Sequence, residues 1–176
     1  VATCAAGAAT FKYGTVRPWV EGLTVVLAGG DVLEIARGQV TASPEGTFVI
    51  ESSSGVRTVS LPPVAMPDVP KRSAGYFVQP GMDLVDLFIG SEGTLGIITA
   101  AVLRLFPRPA ATVAAFAGLA QLDSATAFFS RAYRLAGPSL TAFELMPRIG
   151  LHFVLRHADG TKDPLKAPHH WYVLFE

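Results

Sequence analysis

The chain has 176 residues, half of them hydrophobic and 16% charged, and its formal net charge is zero. This composition favours a packed core, and the charge balance gives no electrostatic footprint for nucleic acid or an anionic membrane. Its single cysteine, Cys4, excludes an internal disulfide framework, and its longest apolar run, over 95–103, is far shorter than the ~20 residues of a membrane-spanning helix.

Short strands joined by turns are predicted for the first part of the chain. Residues 22–35 contain two runs of β-forming residues on either side of Gly29-Gly30, which is a strong hairpin signal. Two further strands are predicted over 47–51 and 57–61. The four prolines within 61–70 predict an extended loop after them.

A short acidic helix, a glycine-spaced turn and an apolar strand follow one another in residues 76–107. Asp83 predicts the start of the helix and Gly90 its end, and a strand is predicted over 95–106. Glycines at positions 90, 93 and 96 leave the backbone uncovered, so its N–H groups can reach a ligand. The combination indicates a cofactor cradle. The spacing of the glycines alone, however, favours a tight turn that leads into a core strand.

A second pattern begins after Pro107. A strand is predicted over 112–119, and Asp123 predicts the cap of a helix that Gly137-Pro138 ends. One face of this helix is apolar: Ala125, Phe128, Phe129, Ala132, Leu135 and Ala136. The remaining predicted elements are a strand over 139–146, a helix over 148–156 and a strand over 171–175. This alternation predicts an α+β layer with the helices on one face.

Four stretches resemble FAD-binding oxidoreductases of the vanillyl-alcohol-oxidase type, and within them the branch of the glycolate oxidase flavin subunit and D-lactate dehydrogenase. They are residues 1–7 with 11–14, 22–27, 80–99 and 142–146. The third stretch, which contains the EGTLG motif, is highly specific. The resemblance implies an α+β fold in which residues 1–108 are the C-terminal part of a PCMH-type FAD-binding domain. Residues 109–176 would then be the first part of an α+β cap domain.

The resemblance also implies where FAD is bound. The backbone of the glycine-spaced turn would contact it through Glu92, Gly93, Thr94, Leu95, Gly96, Ile97 and Ile98. A small-residue loop would contribute Thr3, Cys4 and Gly7. Cys4 stands where the family has Asn and Ala6 where it has Ser, which weakens side-chain contacts but leaves backbone contacts possible. Small residues equally suit close packing, so both interpretations of this loop stay open.

No catalytic residue is assigned within the chain. The family's pyrophosphate loop would lie before Val1, and its late cap segment, which holds the catalytic base, would lie after Glu176. We therefore expect a fragment of a longer protein. The loop from Lys71 to Tyr76 resembles a family loop that could place a cation near a substrate, although a solvated loop is the preferred interpretation. The four histidines predict no metal site, because His152 and His157 do not share a helix face.

These expectations describe a flavoenzyme that oxidises a small anionic 2-hydroxy acid, such as glycolate or D-lactate, with hydride transfer to FAD. An electron acceptor or partner subunits would reoxidise the flavin. Because no signal peptide is visible, we expect a cytoplasmic location. The main alternative is a structural remnant with no cofactor or activity. Another is a flavin reductase of the cell-wall sugar-nucleotide type, although the match over 142–146 argues against it.

Overall fold

The computed structural model describes residues 1–52, 54–69, 72 and 74–176. They form two compact units, one of residues 1–6 and 14–107 and the other of residues 7–13 and 108–176. Both units combine antiparallel sheets with helices, as an α+β fold requires. No helix of the described residues has both the length and the hydropathy to cross a membrane.

The main sheet of the first unit has three antiparallel strands in the order β2-β1-β5. Strand β1 (Val20–Val26) forms the predicted hairpin with β2 (Val32–Ala36) and pairs on its other side with β5 (Ile97–Leu103). One face is buried and apolar, through Leu23, Val25, Leu33 and Ile35, and these residues join the same hydrophobic core as helix α2 (Leu84–Phe88). The core therefore fixes the helix that leads into the glycine-spaced turn.

Strand β5 is shorter than the predicted strand over 95–106. It pairs with β1 only from Ile97, opposite Val26, to Leu103, opposite Val20. Because β1 begins at Val20, the apolar sequence beyond Leu103 has no partner strand and does not form regular structure.

The two further predicted strands are present, and they pair as a second hairpin. Its strands are β3 (Thr47–Ser52) and β4 (Gly55–Ser60), and Phe48 of β3 is completely buried in the core. Strand β4 begins two residues earlier than expected and is exposed along its whole length. Residues 61–69 contain no helix or strand, as their prolines predict.

The second unit contains the sheet β6-β8-β7, in which the last strand of the chain lies in the centre. Both pairings are antiparallel. The strands are β6 (Ala115–Leu119), β7 (Phe143–Pro147) and β8 (Trp171–Phe175), and the helices are α1 (Thr10–Tyr13), α3 (Asp123–Ala136) and α4 (Arg148–His157). The predicted order of strands and helices over 112–175 is confirmed, and the bounds of β8 are as predicted.

Four predictions for the second unit were wrong in detail. The strand predicted over 112–119 begins only at Ala115. Asp123 is the first residue of α3 rather than its cap, because the chain is already helical at Leu122 and no side chain caps the helix. Leu135 lies on the predicted apolar face but is 77% exposed. The strand predicted from residue 139 begins only at Phe143, because a short 3-10 helix, Gly137–Ser139, follows α3.

Candidate cofactor site

Helix α2 leads directly into the glycine-spaced turn. The Asp83 side chain caps the helix by accepting a hydrogen bond of 2.9 Å from the amide of Val85, as predicted. After the helix, Gly90, Glu92 and Gly93 all have positive φ, of 84°, 50° and 82°. Such backbone is disfavoured for a residue with a side chain, so the conformation at Glu92 needs support from its surroundings.

The support comes from the small-residue loop at the start of the chain. The Glu92 amide donates to the carbonyl of Ala2 at 2.9 Å, and the Gly90 amide donates to the carbonyl of Val1 at 3.3 Å. Cys4, whose φ is 47°, lies in the same loop and is 1% exposed. The first unit thus brings Thr3 and Cys4 together with the turn.

Gly7 is another of the predicted contact residues. It belongs to the second unit, where its carbonyl accepts a hydrogen bond of 2.9 Å from the amide of Thr10 at the start of α1. Ile97 and Ile98 are the first residues of β5, opposite Val26 and Val25, so their backbone conformation is set by the sheet. Contact of Gly7, Ile97 and Ile98 with the cofactor stays a prediction.

Most of the amides in the turn already have partners. Those of Gly90 and Glu92 donate to the first loop, Ser91 donates to Phe88, and Thr94 donates to the carbonyl of Ser91. Among the hydrogen bonds between described residues, none uses the amide of Gly93 or of Leu95. The amide of Gly96 is also unused, but Gly96 is buried against β1, so the amides of Gly93 and Leu95 are the backbone donors left for a ligand.

The space around the missing side chain differs between Gly93 and Gly96, the two later glycines of the turn. A side-chain carbon at Gly96 would lie 2.7 Å from Val25 Cγ1 and 2.8 Å from the Val26 carbonyl, which is closer than packing permits. At Gly93 the nearest atom would be Ile97 Cδ1, at 3.9 Å. Gly96 is thus required by the close approach of β1, whereas Gly93 leaves open space beside the turn.

One buried hydroxyl group in the turn, that of Ser91, lacks a hydrogen-bond partner among the described residues. Ser91 is only 2% exposed. Buried hydroxyls nearly always have a partner, so a ligand atom or a water at this position would complete the site. The neighbouring Thr94 hydroxyl donates to the Ser91 carbonyl at 2.6 Å and lies 2.6 Å from the Tyr76 hydroxyl.

The turn fits the FAD that the family resemblance implies, because its open donors are uncharged and directional. Glu92, Gly93 and Thr94 are exposed, and the free amides of Gly93 and Leu95 can pair with carbonyl or phosphate oxygens. The described residues contain no group of three or more His, Cys, Asp or Glu side chains that could hold a metal ion.

A buried charge network beneath the turn had no signal in the sequence, because its members are separated by up to 69 positions. Both carboxylate oxygens of Asp86 accept hydrogen bonds of 3.1 Å from Arg37, and Arg17 lies 3.4 Å from one of them. Burial disfavours the charged form of Arg37, but the hydrogen bond and the charge of Asp86 outweigh it and raise the pKa of Arg37.

Three basic side chains that could pair with a carboxylate substrate, Lys71, Arg72 and Arg148, have different surroundings. Lys71 lies outside the described residues. Arg72 pairs at 3.4 Å with Asp68, whose side chain is fully exposed. Arg148, in the second unit, donates hydrogen bonds to Asp163 at 2.7 Å and to the hydroxyl of Tyr172 at 2.6 Å. Arg148 is therefore already paired, and the hydrogen bond with it lowers the pKa of Asp163.

Comparison with known proteins identifies relatives along the whole chain. It is 30% identical over 176 residues to the mitochondrial D-2-hydroxyglutarate dehydrogenase of Arabidopsis thaliana and 32% identical to that of Rattus norvegicus, covering 100% of this chain in both cases. A Schizosaccharomyces pombe protein named for D-lactate dehydrogenase activity is 29% identical over 99% of the chain. No protein-family model matches the chain.

The chain spans about a quarter of the length of these curated relatives, 25% of the Arabidopsis protein and 26% of the other two. The match extends through both compact units, so it is not confined to the glycine-spaced turn. The homologues of this chain are thus D-2-hydroxyglutarate and D-lactate dehydrogenases of the FAD-linked oxidase family, which confirms the resemblance that the motifs indicated.

Proposed function

We propose that the full-length protein is an FAD-dependent dehydrogenase that oxidises a D-2-hydroxy acid, with D-2-hydroxyglutarate as the first candidate and D-lactate or glycolate as the next. The observation that carries this proposal is the similarity of the entire chain to dehydrogenases named for D-2-hydroxyglutarate and D-lactate. The glycine-spaced turn supports it, because that turn leaves donors free for an uncharged, polar ligand edge.

In this proposal the first unit holds one side of the cofactor. The amides of Gly93 and Leu95 would donate to oxygen atoms of FAD, and the buried Ser91 hydroxyl would gain the partner that it lacks among the described residues. When bound, FAD supplies the chemistry by accepting a hydride from the α-carbon of the hydroxy acid. The turn takes no part in the hydride transfer itself. Its contribution is to bind and orient the cofactor.

The domain interpretation remains part of the proposal. Residues 1–108 are assigned to a PCMH-type FAD-binding domain and residues 109–176 to the cap domain that closes over the substrate. The base that takes the hydroxyl proton is assigned to a segment outside this chain. An electron acceptor or a partner subunit reoxidises the flavin. The proposed location is cytoplasmic, although the Arabidopsis and rat relatives are named as mitochondrial.

The test is a dye-reduction screen of the purified full-length protein. Both enantiomers of 2-hydroxyglutarate and lactate are compared with glycolate, and aromatic alcohols and sugar lactones serve as controls. The proposal predicts flavin in the preparation and dye reduction with D-2-hydroxy acids. Activity confined to the alcohols or lactones would contradict the substrate class, and a colourless, inactive protein would favour the structural remnant.

A further inference from the structure

Arg17 lies in a short 3-10 helix, Arg17–Trp19, immediately before β1, and its side chain is 13% exposed. Its guanidinium reaches the end of α2, where it donates to the carbonyl of Asp86 and, at 2.8 Å, to the carbonyl of Ile89. These carbonyls belong to the last turn of the helix, where no further helical amide is available to them. Arg17 therefore completes the end of α2.

The same guanidinium also contacts the loop and the segment on either side. Its Nη2 lies 4.0 Å from the sulfur of Cys4, and its central carbon lies 4.3 Å from the centre of the Phe77 ring. A side-chain carbon at Gly90 would lie 3.7 Å from Nη2 and 3.2 Å from Cys4 Cβ. Arg17 thus packs against the first residue of the glycine-spaced turn and against the loop that supports it.

The position of Arg17 is itself fixed. Arg37 donates to both oxygens of Asp86 and, at 3.0 Å, to the carbonyl of Arg17, while its Nε donates to the carbonyl of Val20 at 2.7 Å. Asp86 in turn lies 3.4 Å from the guanidinium of Arg17. Two arginines around one carboxylate, with backbone carbonyls at their other donors, leave little freedom for the Arg17 side chain.

We propose that Arg17 is a positioning residue for the cofactor: its guanidinium holds Ile89, Gly90 and Cys4 in the arrangement that presents the amides of Gly93 and Leu95. This inference rests on the proposed FAD site. The turn contains left-handed backbone at Glu92, which persists only where neighbouring contacts enforce it. Loss of the guanidinium removes the contacts at the entrance of the turn and leaves its sequence unchanged.

The test compares Arg17→Lys with Arg104→Lys in the full-length protein. Lysine keeps the charge but cannot donate to several carbonyls in the planar geometry of arginine. Arg104 is a matched control, because it also donates to a backbone carbonyl, that of Pro18, and also lies over an aromatic ring, that of Trp19. Three quantities are measured: the FAD dissociation constant, the visible circular dichroism of the bound flavin, and amide hydrogen exchange over residues 90–96 in the flavin-free protein.

Arg17→Lys is expected to raise the FAD dissociation constant about tenfold, since hydrogen bonds to charged groups contribute on that scale. It should also change the visible circular dichroism and accelerate exchange at Gly90 and Glu92, while Arg104→Lys leaves all three quantities close to wild type. Equal effects of the two variants, or reduced thermal stability with unchanged flavin affinity and spectrum, would overturn the inference. If Arg17→Lys does not fold, Asp86→Asn is used in its place, because it weakens the same network without changing shape.

The outcomes separate this inference from the proposed function. A wild-type protein that binds no FAD would contradict the proposed function, and the exchange experiment would then decide whether Arg17 orders the turn. Unchanged exchange over 90–96 in Arg17→Lys, or in Asp86→Asn where that variant takes its place, would contradict the positioning role itself.

Discussion

At the scale of single residues, Gly93 is the position that most directly separates a cofactor cradle from an ordinary turn. Its φ is 82° and its missing side chain faces open space. Gly30, in the β1–β2 hairpin, has a φ of 88° and equally open surroundings. An alanine at either position has the same backbone strain, about 1–2 kcal/mol, so any difference between them in flavin binding comes from the ligand.

We expect Gly93→Ala to weaken FAD binding by the full-length protein about tenfold or more, and Gly30→Ala to leave it near wild type, because a ligand that hydrogen-bonds the turn must approach the Gly93 backbone. Fluorescence titration of the flavin-free proteins measures both dissociation constants. Equal affinities in the two variants would place the cofactor away from this turn.

Gly96 is expected to matter for folding instead. Gly96→Ala forces a carbon against Val25 and the Val26 carbonyl, and overpacking of this kind costs about 1–3 kcal/mol of the free energy of unfolding. Urea denaturation of the flavin-free protein measures the change, with Gly29→Ala as the control because no atom lies within 4 Å of that added carbon. A Gly96→Ala protein as stable as the control would show that β1 and β5 are less closely packed than described.

The ion pair of Arg148 and Asp163 predicts a dependence of stability on pH. The hydrogen bond from Arg148, assisted by the Leu165 amide, lowers the pKa of Asp163 in the folded protein. The stabilisation is therefore complete above the ordinary pKa of an aspartate, about 3.9, and is lost as the pH falls through the lower folded value. We expect Asp163→Asn to lower the thermal midpoint at neutral pH and this difference to shrink below about pH 4.

Asp159→Asn is the control for this measurement, since Asp159 is an exposed aspartate on the adjacent turn. Differential scanning calorimetry across the pH range gives both differences. A deficit of Asp163→Asn that is the same at neutral and acid pH would mean that its effect does not come from the ionised carboxylate.

At the scale of elements, helix α3 shows how far an apolar pattern predicts burial. Phe128 contacts the rings of Phe143 and Phe175, with centroids 5.6 and 5.2 Å apart, so it joins the helix to β7 and β8. Leu135 belongs to the same apolar stripe but lies near the end of the helix and is 77% exposed. Spacing indicates the face of a helix, but the sheet covers only part of that face.

Phe128→Ala should therefore lower the free energy of unfolding by about 3 kcal/mol, toward the lower end of the range for buried aromatic residues because Phe128 is only half-buried. Leu135→Ala should change it by less than about 0.5 kcal/mol, as exposed positions usually do. Chemical denaturation followed by circular dichroism measures both changes. Similar losses in the two variants would indicate that Leu135 has a partner in the complete protein.

The sequence predicted elements better than it predicted their ends and contacts. The Gly29-Gly30 hairpin, the Asp83 cap and β8 each follow from local chemistry and are confirmed. The length of β5 depends on its distant partner β1, so no local signal contained it. For the same reason, the pairing of Arg17 and Arg37 with Asp86, and the support of Glu92 by Ala2, became visible only in three dimensions.

At the scale of the whole molecule, the family resemblance added what local patterns could not supply. Glycine spacing over 90–96 fits a simple turn as well as a cradle, whereas the similarity to dehydrogenases of D-2-hydroxy acids extends over all 176 residues. Because the chain corresponds to about a quarter of those relatives, the substrate and the catalytic base have to be tested in the full-length protein.

The most direct test of the central proposal is the visible absorbance of the purified full-length protein under anaerobic conditions, before and after addition of D-2-hydroxyglutarate. The proposed function predicts a flavin spectrum, release of FAD on denaturation, and bleaching of the flavin band by the D enantiomer but not by the L enantiomer. Bleaching by D-lactate is measured in parallel and shows which of the two substrates named for the relatives reduces the flavin more readily. A preparation without flavin, or a flavin that stays oxidised with every 2-hydroxy acid, would contradict the proposal.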